Sequence, residues 1–307
     1  MRRFTLTWCI TKADEGILIR EFLKAKGISK AALTDIKFHG GAIEVNEHHV
    51  NVRHVLQEGE KLAVCFPPEQ RSEGMLSENI PLSVVYEDDS VLVINKRPYM
   101  STIPSREHPI GSVANALLHY YDQQNLASTV HIVTRLDRDT SGLMLIAKNR
   151  FIHHLLSKQH QQKQVKRTYE AIVHGMIAED SGTIDAPIAR KDDSIIERIV
   201  RGDGQRAVTH FHVQKRWKDK THVALQLETG RTHQIRVHMA HLGHALLGDD
   251  LYGGKTDEIK RQALHSTNLT FYHPILEKQL TFHAELPDDM KKLMETGLSR
   301  PKLKKDK

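Results

Sequence analysis

Residues 135–143 read Arg-Leu-Asp-Arg-Asp-Thr-Ser-Gly-Leu and stand directly before the apolar run of residues 143–147. Two carboxylates and two guanidinium groups fall within five positions of this stretch. The Thr-Ser-Gly that follows them supplies residues that favour a turn. Because polar loops held against rigid strands often carry function, the stretch predicts an active-site loop followed by a buried strand.

Short apolar runs on both sides of this loop predict mostly strands. Residues 82–86 and 91–95 flank a polar turn and predict a hairpin, and residues 113–121 and 151–159 have helical periodicity. Further strands are predicted at residues 168–173, 209–213, 223–228, 269–272 and 280–284. Since strands outnumber helices and do not alternate with them, the pattern favours an α+β domain on a largely antiparallel, mixed sheet.

Three further segments have a distinctive order of residues. Residues 91–98 read Val-Leu-Val-Ile-Asn-Lys-Arg-Pro, and residues 166–175 read Lys-Arg-Thr-Tyr-Glu-Ala-Ile-Val-His-Gly. Residues 229–238 read Thr-Gly-Arg-Thr-His-Gln-Ile-Arg-Val-His, and Gly-Asp-Asp-Leu-Tyr-Gly follows at 248–253. With the loop at 135–143, these segments resemble the RluA/RluD-type family of RNA pseudouridine synthases over roughly residues 80–290.

Two positions depart from that family's usual pattern. Thr134 stands where many members have a histidine before the Arg-Leu-Asp triplet. Residues 97–100 read Arg-Pro-Tyr-Met, where the family usually has Pro, a small residue and Gly after the lysine. We therefore expect that the histidine found before the triplet in many members is not required for function here. We also expect a different local turn after Lys96.

The resemblance implies isomerisation of a uridine within RNA to pseudouridine, without a cofactor. It implies that Asp137 is the catalytic carboxylate and that Tyr169 stacks on the target base. Asp137 could add to the sugar's anomeric carbon or take a proton from the neighbouring sugar carbon, and it must be ionised in both cases. Because burial disfavours a charged carboxylate, a fixed cation is expected beside it. Arg236 is the first candidate and Arg231 the second.

Several basic residues are candidates for contacts with RNA. Arg135 could contact a phosphate or fill the space left by a flipped uridine. Further backbone contacts are expected from Lys96, Lys163, Lys166 and Arg167. The resemblance favours large-subunit ribosomal RNA as the substrate and leaves transfer RNA open.

Residues 1–66 predict a small separate unit. Apolar residues at helical spacing up to Gly27, and Ser29 before residues 30–37, predict two helices, and residues 42–46, 50–52 and 62–66 predict short strands. The pattern resembles the S-four-type RNA-binding domain first described in a small-subunit ribosomal protein. A small α+β cap on the main domain is an equal alternative from composition. In the RNA-binding case, lysines of the helices, Lys24 and Lys30 among them, would contact phosphates.

The remaining divisions follow from composition. Residues 67–81, rich in Pro, Ser and Glu, predict an exposed linker to a catalytic domain at 82–296, and residues 297–307 predict a disordered basic tail. With 44 Lys plus Arg against 38 Asp plus Glu, the net charge of +6 favours a polyanionic partner. Two cysteines and the lack of a long apolar segment predict a cytoplasmic protein without membrane contact. No feature of the sequence requires an oligomer, so we expect a monomer.

Two other functions remain open at this stage. The chain could be an inactive RNA-binding or ribosome-assembly factor. It could also be a metal-dependent hydrolase, because His233, His238, His241 and His244 fall within twelve residues. Since neither a His-Glu-x-x-His nor a Cys-x-x-Cys pattern occurs, we expect no metal site and interpret these histidines as polar helix faces or RNA contacts.

Overall fold

Residues 3–71, 74–105 and 108–295 are described by a computed structural model of the chain. The predicted basic tail at 297–307 lies outside these residues. Within the described ranges, no helix has both the length and the apolar character required to cross a membrane.

The N-terminal unit is a four-stranded antiparallel sheet with two helices. In chain order its elements are β1 (Thr5–Cys9), α1 (Ile19–Ala25), α2 (Lys30–Phe38), β2 (Ala42–Val45), β3 (His48–His49) and β4 (Lys61–Cys65), with strand order β1-β4-β2-β3. The Ser29 hydroxyl caps α2 by accepting the Ala32 N–H, as the sequence predicted. Residues 50–52 do not form the predicted strand, and β1 was not predicted.

The rest of the described chain forms a sheet of ten strands with helices on its faces. In chain order the elements of this part are β5 (Val84–Glu87), β6 (Val91–Lys96), α3 (Val113–Gln123), β7 (His131–Ile132), β8 (Ser141–Ala147), α4 (Arg150–Gln161), β9 (Lys166–His174), β10 (Ser181–Asp185), β11 (Ile188–Arg190), β12 (Arg198–Val200), β13 (Val208–Arg216), β14 (Lys220–Leu227), α5 (Gln234–His241), β15 (Leu264–His273), β16 (Lys278–His283) and α6 (Asp288–Glu295). Strands β11 and β12 form a separate two-stranded ribbon.

The sheet has the order β10-β13-β14-β9-β15-β8-β6-β5, with β16 paired to β15 and β7 paired to β8. All its pairs are antiparallel except β15 with β8. The predicted α+β class with a largely antiparallel mixed sheet is therefore confirmed.

The parallel pair brings two backbones very close together. Gly142 has φ +115°, and a Cβ at this position would lie 2.5 Å from the Ser266 amide nitrogen. Only glycine allows this approach and this backbone conformation. All seven residues of β8 are buried, so the predicted active-site loop ends on a strand in the middle of the sheet.

Two hydrophobic clusters lie on the two faces of the sheet. The cluster that includes Leu117 and Tyr121 of α3 packs on one face. The other cluster joins Phe151 and Leu156 of α4 to the core of the N-terminal unit. The rings of Phe66 and Phe151 lie 5.2 Å apart at this junction, so the unit is packed against α4.

The segment at 67–81 is less exposed than predicted, because several of its described residues bond to the part of the chain that forms the ten-stranded sheet. The Glu69 carboxylate accepts hydrogen bonds from the Arg150 N–H, at 2.6 Å, and from the His131 ring. The Asn115 side chain donates to the Leu76 carbonyl at 2.8 Å. These contacts tie described residues of the segment to α3, β7 and α4 or their ends.

Candidate active site

Asp137 lies in the loop between β7 and β8, and both sides of the loop are anchored. The Thr134 hydroxyl accepts the Leu145 N–H at 2.8 Å, and the Thr102 hydroxyl donates to the Leu136 carbonyl at 2.6 Å. The Asp137 side chain is 27% exposed. Thr134 is buried in this anchoring role.

Lys96 connects this loop to the turn after β6. Its ammonium group donates to the carbonyls of Arg97, Met100 and Arg138 at 2.8–3.0 Å. Burial lowers the pKa of Lys96 to about 7, although the nearby Asp139 and Asp137 oppose the shift. The prediction that Lys96 contacts the RNA backbone is wrong, because its side chain is buried and its donors are already used.

Arg236 is the arginine that meets Asp137. Its Nη1 lies 3.5 Å from Asp137 Oδ2, while its Nε and Nη2 form a two-pronged bond to Asp249, each at 2.7 Å. Burial opposes the charged guanidinium, but the bonds to Asp249 outweigh it and raise the pKa of Arg236. The arginine is therefore charged and fixed in orientation.

Asp249 is the functional neighbour that the sequence reasoning missed. It is fully buried and belongs to the Gly-Asp-Asp-Leu-Tyr-Gly segment, to which no role was assigned. Gly248 directly precedes it and Gly254 follows five residues later, and a Cβ at either position would collide with backbone carbonyls. An acidic residue between two glycines in a tight turn was the available signal.

Tyr169 on β9 forms one wall of the recess that contains Asp137. Its side chain is buried, and burial raises its pKa, so the phenol keeps its proton at neutral pH. The Arg167 guanidinium lies 5.9 Å from the centre of the Tyr169 ring. The same recess is lined by Arg135, Arg231 and Arg236.

The recess opens into a wider cleft of about 450 Å³. Arg135 and Arg231 are exposed at its edge, and Arg167 is half-buried there. A second depression beside it, also about 450 Å³, is lined by Arg135 and Arg231 together with Arg190 and Arg198 of the β11–β12 ribbon. The structure thus gathers arginines from distant parts of the chain around Asp137.

Gln234 holds the loop that carries Arg231. Its side-chain oxygen accepts hydrogen bonds from the Arg231 N–H at 3.0 Å and from the Thr229 hydroxyl at 2.8 Å. Its amide nitrogen donates to the Val208 carbonyl of β13 at 2.9 Å. Arg231 is not in contact with Asp137. Its Nε donates to the Arg206 carbonyl at the surface.

The predicted lysine contacts are more scattered. Lys166 is exposed at the start of β9 next to Arg167, whereas Lys163 forms an ion pair with Glu228 at 2.9 Å. Lys24 and Lys30 are exposed on the two helices of the N-terminal unit and line neither depression. The structure does not bring these two residues to the cleft.

The four histidines of the metal hypothesis do not form a site. His238 is buried, and its two ring nitrogens lie 2.8 Å from the Thr209 hydroxyl and 2.9 Å from the Ala186 carbonyl. His244 bonds to the His174 carbonyl. Across residues 3–71, 74–105 and 108–295, no three His, Cys, Asp or Glu side chains are arranged to hold a metal ion. For His238 the interpretation as a polar helix face is wrong, because the side chain is internal.

The sequence of the chain matches those of known proteins. Residues 90–241 match the family model described as RNA pseudouridylate synthase. The chain is 58% identical to the uncharacterized RNA pseudouridine synthase YjbO of Bacillus subtilis, over 90% of this chain and 98% of the relative. It is 39% identical to the ribosomal large subunit pseudouridine synthase D of Escherichia coli K12, over 77% of this chain and 76% of that protein.

Solved structures show the same fold. The human RNA pseudouridylate synthase domain containing 4 superimposes with a TM-score of 0.58 at 22% identity, covering 69% of this chain and 92% of that one. The identity and coverage of the curated relatives, with the matching family model, confirm the resemblance drawn from the sequence motifs. The chain belongs to the RluA/RluD-type RNA pseudouridine synthases, which are isomerases acting on uridines in RNA.

Proposed function

We propose that Asp137 is the carboxylate that acts on the ribose of the target uridine, with Arg236 holding it ionised and Tyr169 stacking on the base. The observation that carries this proposal is the 3.5 Å approach of Arg236 to Asp137 inside the recess walled by Tyr169. A guanidinium that cannot lose its proton stabilises the charged carboxylate that both chemical routes require. Addition to the anomeric carbon and removal of a neighbouring sugar proton remain the two routes.

The protonated phenol of Tyr169 suits stacking. A buried aromatic wall offers a uracil ring a flat apolar surface at a fixed position. Proton removal from the ring carbon that gains the new bond would require a base, and the raised pKa of Tyr169 makes its phenolate scarce in the resting enzyme. Any help that Tyr169 gives at this step therefore depends on the substrate being bound.

The RNA strand would follow the arginine-lined cleft. Arg135, Arg167 and Arg231 border it, and Lys166 is exposed beside Arg167. Arginines suit phosphates because their planar fork donates two parallel hydrogen bonds. Arg135 also stands where it could occupy the gap left by an extruded uridine.

Large-subunit ribosomal RNA is the substrate that we favour, since the name of the Escherichia coli relative gives that specificity. Transfer RNA remains the alternative substrate. The N-terminal unit at 1–66 would act as an S-four-type RNA-binding domain through Lys24 and Lys30. We further expect a cytoplasmic monomer that needs no cofactor or metal. Retained activity in the presence of a chelator would support that last expectation, and loss of activity would contradict it.

Replacement of Asp137 by Asn tests the catalytic role directly. The variant keeps the shape of the side chain but loses its charge, so pseudouridine formation should fall by at least about 10³-fold while RNA binding persists. Tritium release or mass analysis of purified RNA measures the first quantity, and filter binding measures the second. Asp192→Asn is the matched control, because it removes an equal charge from an exposed carboxylate paired with Arg201.

The same pair of variants separates the alternatives. Full turnover by the Asp137→Asn variant would exclude Asp137 as the reacting carboxylate. A wild-type protein that binds RNA but forms no pseudouridine in any RNA fraction would favour the inactive binding factor. Mapping pseudouridines in total RNA with and without the gene identifies the substrate.

A further inference from the structure

Two side chains outside the proposed catalytic set, His233 and Tyr252, lie between Asp137 and the β11–β12 ribbon. The Tyr252 hydroxyl accepts a hydrogen bond from the Arg198 backbone N–H at 3.0 Å and lies 2.8 Å from His233 Nδ1. His233 Nε2 in turn lies 4.0 Å from Asp137 Oδ2. Two hydrogen bonds therefore connect the ribbon to His233, and a gap of 4.0 Å separates His233 from the carboxylate.

One assignment of hydrogens lets this chain serve Asp137. The Tyr252 oxygen accepts the Arg198 N–H and can still donate its own proton to His233 Nδ1. Burial lowers the pKa of His233, which favours the neutral imidazole at neutral pH. A neutral ring that accepts at Nδ1 carries its hydrogen on Nε2. In this tautomer His233 presents a donor on the nitrogen nearest to Asp137.

The same tyrosine also supports Arg236. The Arg236 guanidinium lies 4.9 Å from the centre of the Tyr252 ring, and the His233 ring meets that ring edge-on at 5.7 Å. The charged groups that face His233 are Asp137, Arg236, Asp249 and the more distant Arg198. Both groups that approach Asp137, Arg236 Nη1 and His233 Nε2, come closest to the same oxygen, Oδ2.

The backbone of His233 is held in an uncommon conformation. Its φ of 57° and ψ of 19° lie in the left-handed region, at the residue directly before α5. Such a conformation is unfavourable in a residue other than glycine and persists only where the surroundings fix it. Here the bond to Tyr252 is one of the contacts that fix it.

We propose that His233 and Tyr252 are positioning residues for Asp137. They hold Asp137 Oδ2 beside Arg236 and leave Oδ1 to meet the ribose. They also transmit docking of RNA on the β11–β12 ribbon to the carboxylate. This inference rests on the proposed catalytic role of Asp137. Among the described residues no hydrogen bond to Oδ1 is present, and the 4.0 Å gap at Oδ2 closes to a hydrogen bond with a small shift of the loop, as free active sites often tighten on binding. Arg190 and Arg198 on the ribbon supply the phosphate contacts that would report the docking.

The test uses the full-length protein with Tyr252→Phe, His233→Ala and His233→Gln. Tyr252→Phe keeps the ring under Arg236 and removes only the hydroxyl, whereas His233→Gln can still donate near Asp137 Oδ2. Single-turnover rates should fall about 10- to 100-fold in Tyr252→Phe and His233→Ala, with KM for RNA changed far less. His233→Gln should recover part of the loss, and the Tyr252→Phe/His233→Ala double variant should be no slower than His233→Ala alone.

The conservative variant distinguishes positioning from a purely structural role. Glutamine at position 233 restores a donor near Asp137 but does not restore the imidazole ring, so recovery in His233→Gln points to the lost donor. Wild-type rates in Tyr252→Phe and His233→Ala, with Asp137→Asn inactive, would overturn this inference alone. Slower rates with additive effects and no recovery in His233→Gln would also overturn it. An active Asp137→Asn variant would instead overturn the proposed function on which it rests.

Discussion

The cleft around Asp137 and the N-terminal unit use charge in opposite ways. In the cleft, Arg236 and Asp249 have side-chain exposures of 8% and 0% and are bonded to each other by two short contacts. In the N-terminal unit, Lys24 and Lys30 project into solvent around an apolar core that includes Ile19 and Leu23. A buried charge depends on its partner for both stability and position, whereas an exposed lysine depends on little. Single substitutions should therefore reduce stability and activity strongly in the cleft and only slightly in the N-terminal unit.

Asp249→Asn is expected to have the largest effect on stability and therefore tests this contrast most directly. It leaves the buried Arg236 guanidinium with a neutral partner, and breaking a buried ion pair in this way typically costs about 3–5 kcal/mol. Activity should fall as well, because Arg236 is no longer fixed beside Asp137. Urea unfolding and a pseudouridine assay measure the two effects.

Asp289→Asn is the matched control, since Asp289 pairs in two-pronged fashion with the buried Arg261 but is itself 39% exposed. Its stability loss should be smaller, with activity near wild type at temperatures where it is folded. An equal loss of stability in both variants would mean that the depth of burial does not decide the cost.

Lys96→Met tests, through pH, a second buried charge near Asp137. The folded-state pKa of Lys96 is about 7, against an ordinary value of 10.5, so between these values the unfolded chain binds more protons than the folded one. Stability from this group therefore increases as pH rises from about 7. The unfolding free energy of the wild type minus that of Lys96→Met should grow by about 1 kcal/mol per pH unit between about pH 7 and 9. A difference that stays flat with pH would show that Lys96 is solvated.

Arg231→Ala measures the exposed charge at the edge of the cleft. If Arg231 contacts a phosphate, RNA affinity should fall severalfold and the slope of log affinity against log salt should decrease by roughly one unit or slightly less. Arg201→Ala serves for comparison, because Arg201 is occupied at the surface by Asp192 and Asp203. Equal effects of the two variants would indicate a general charge effect in place of a local contact.

The smallest effect is expected from Lys24→Ala combined with Lys30→Ala. Two exposed phosphate contacts should weaken RNA binding by no more than about tenfold, without change in the single-turnover rate at saturating RNA. Lys12→Ala is the control in the same unit, since Lys12 is paired with Glu15. Unchanged affinity in the double variant would argue for the small packed cap over an RNA-binding domain.

Local features of the fold could be predicted from the sequence, whereas features that depend on distant contacts could not. Alternating apolar runs predicted β5, β6, β9 and β13–β16, and Ser29 predicted the start of α2, because these signals are local. Helix α5 carries no such signal: its residues Gln234–Met239 are buried on all sides, so no polar face marks its period. Strands β11 and β12 have only three residues each, too few to show an alternation, and β10 pairs with β13, which lies more than twenty residues further along the chain.

For the site, motif order suggested Asp137, Tyr169 and Arg236, and the structure places them around one recess. Motif order did not suggest the role of Asp249 or the inward direction of the Lys96 side chain, because both depend on which backbone groups converge in three dimensions. Lys96 follows a strand and looks like any surface lysine in the sequence. Only the three carbonyls that surround it reveal its place.

The contact between Phe66 and Phe151 has a practical consequence for anyone who shortens this protein. Removal of residues 1–66 would uncover the side of α4 that now rests against them, and the remaining fragment would present adhesive apolar surface to its neighbours in solution. Poor yield or precipitation of such a fragment would then reflect a missing cover, and would say nothing about whether those residues ever touch RNA. Point changes at the surface are the sounder way to ask that question.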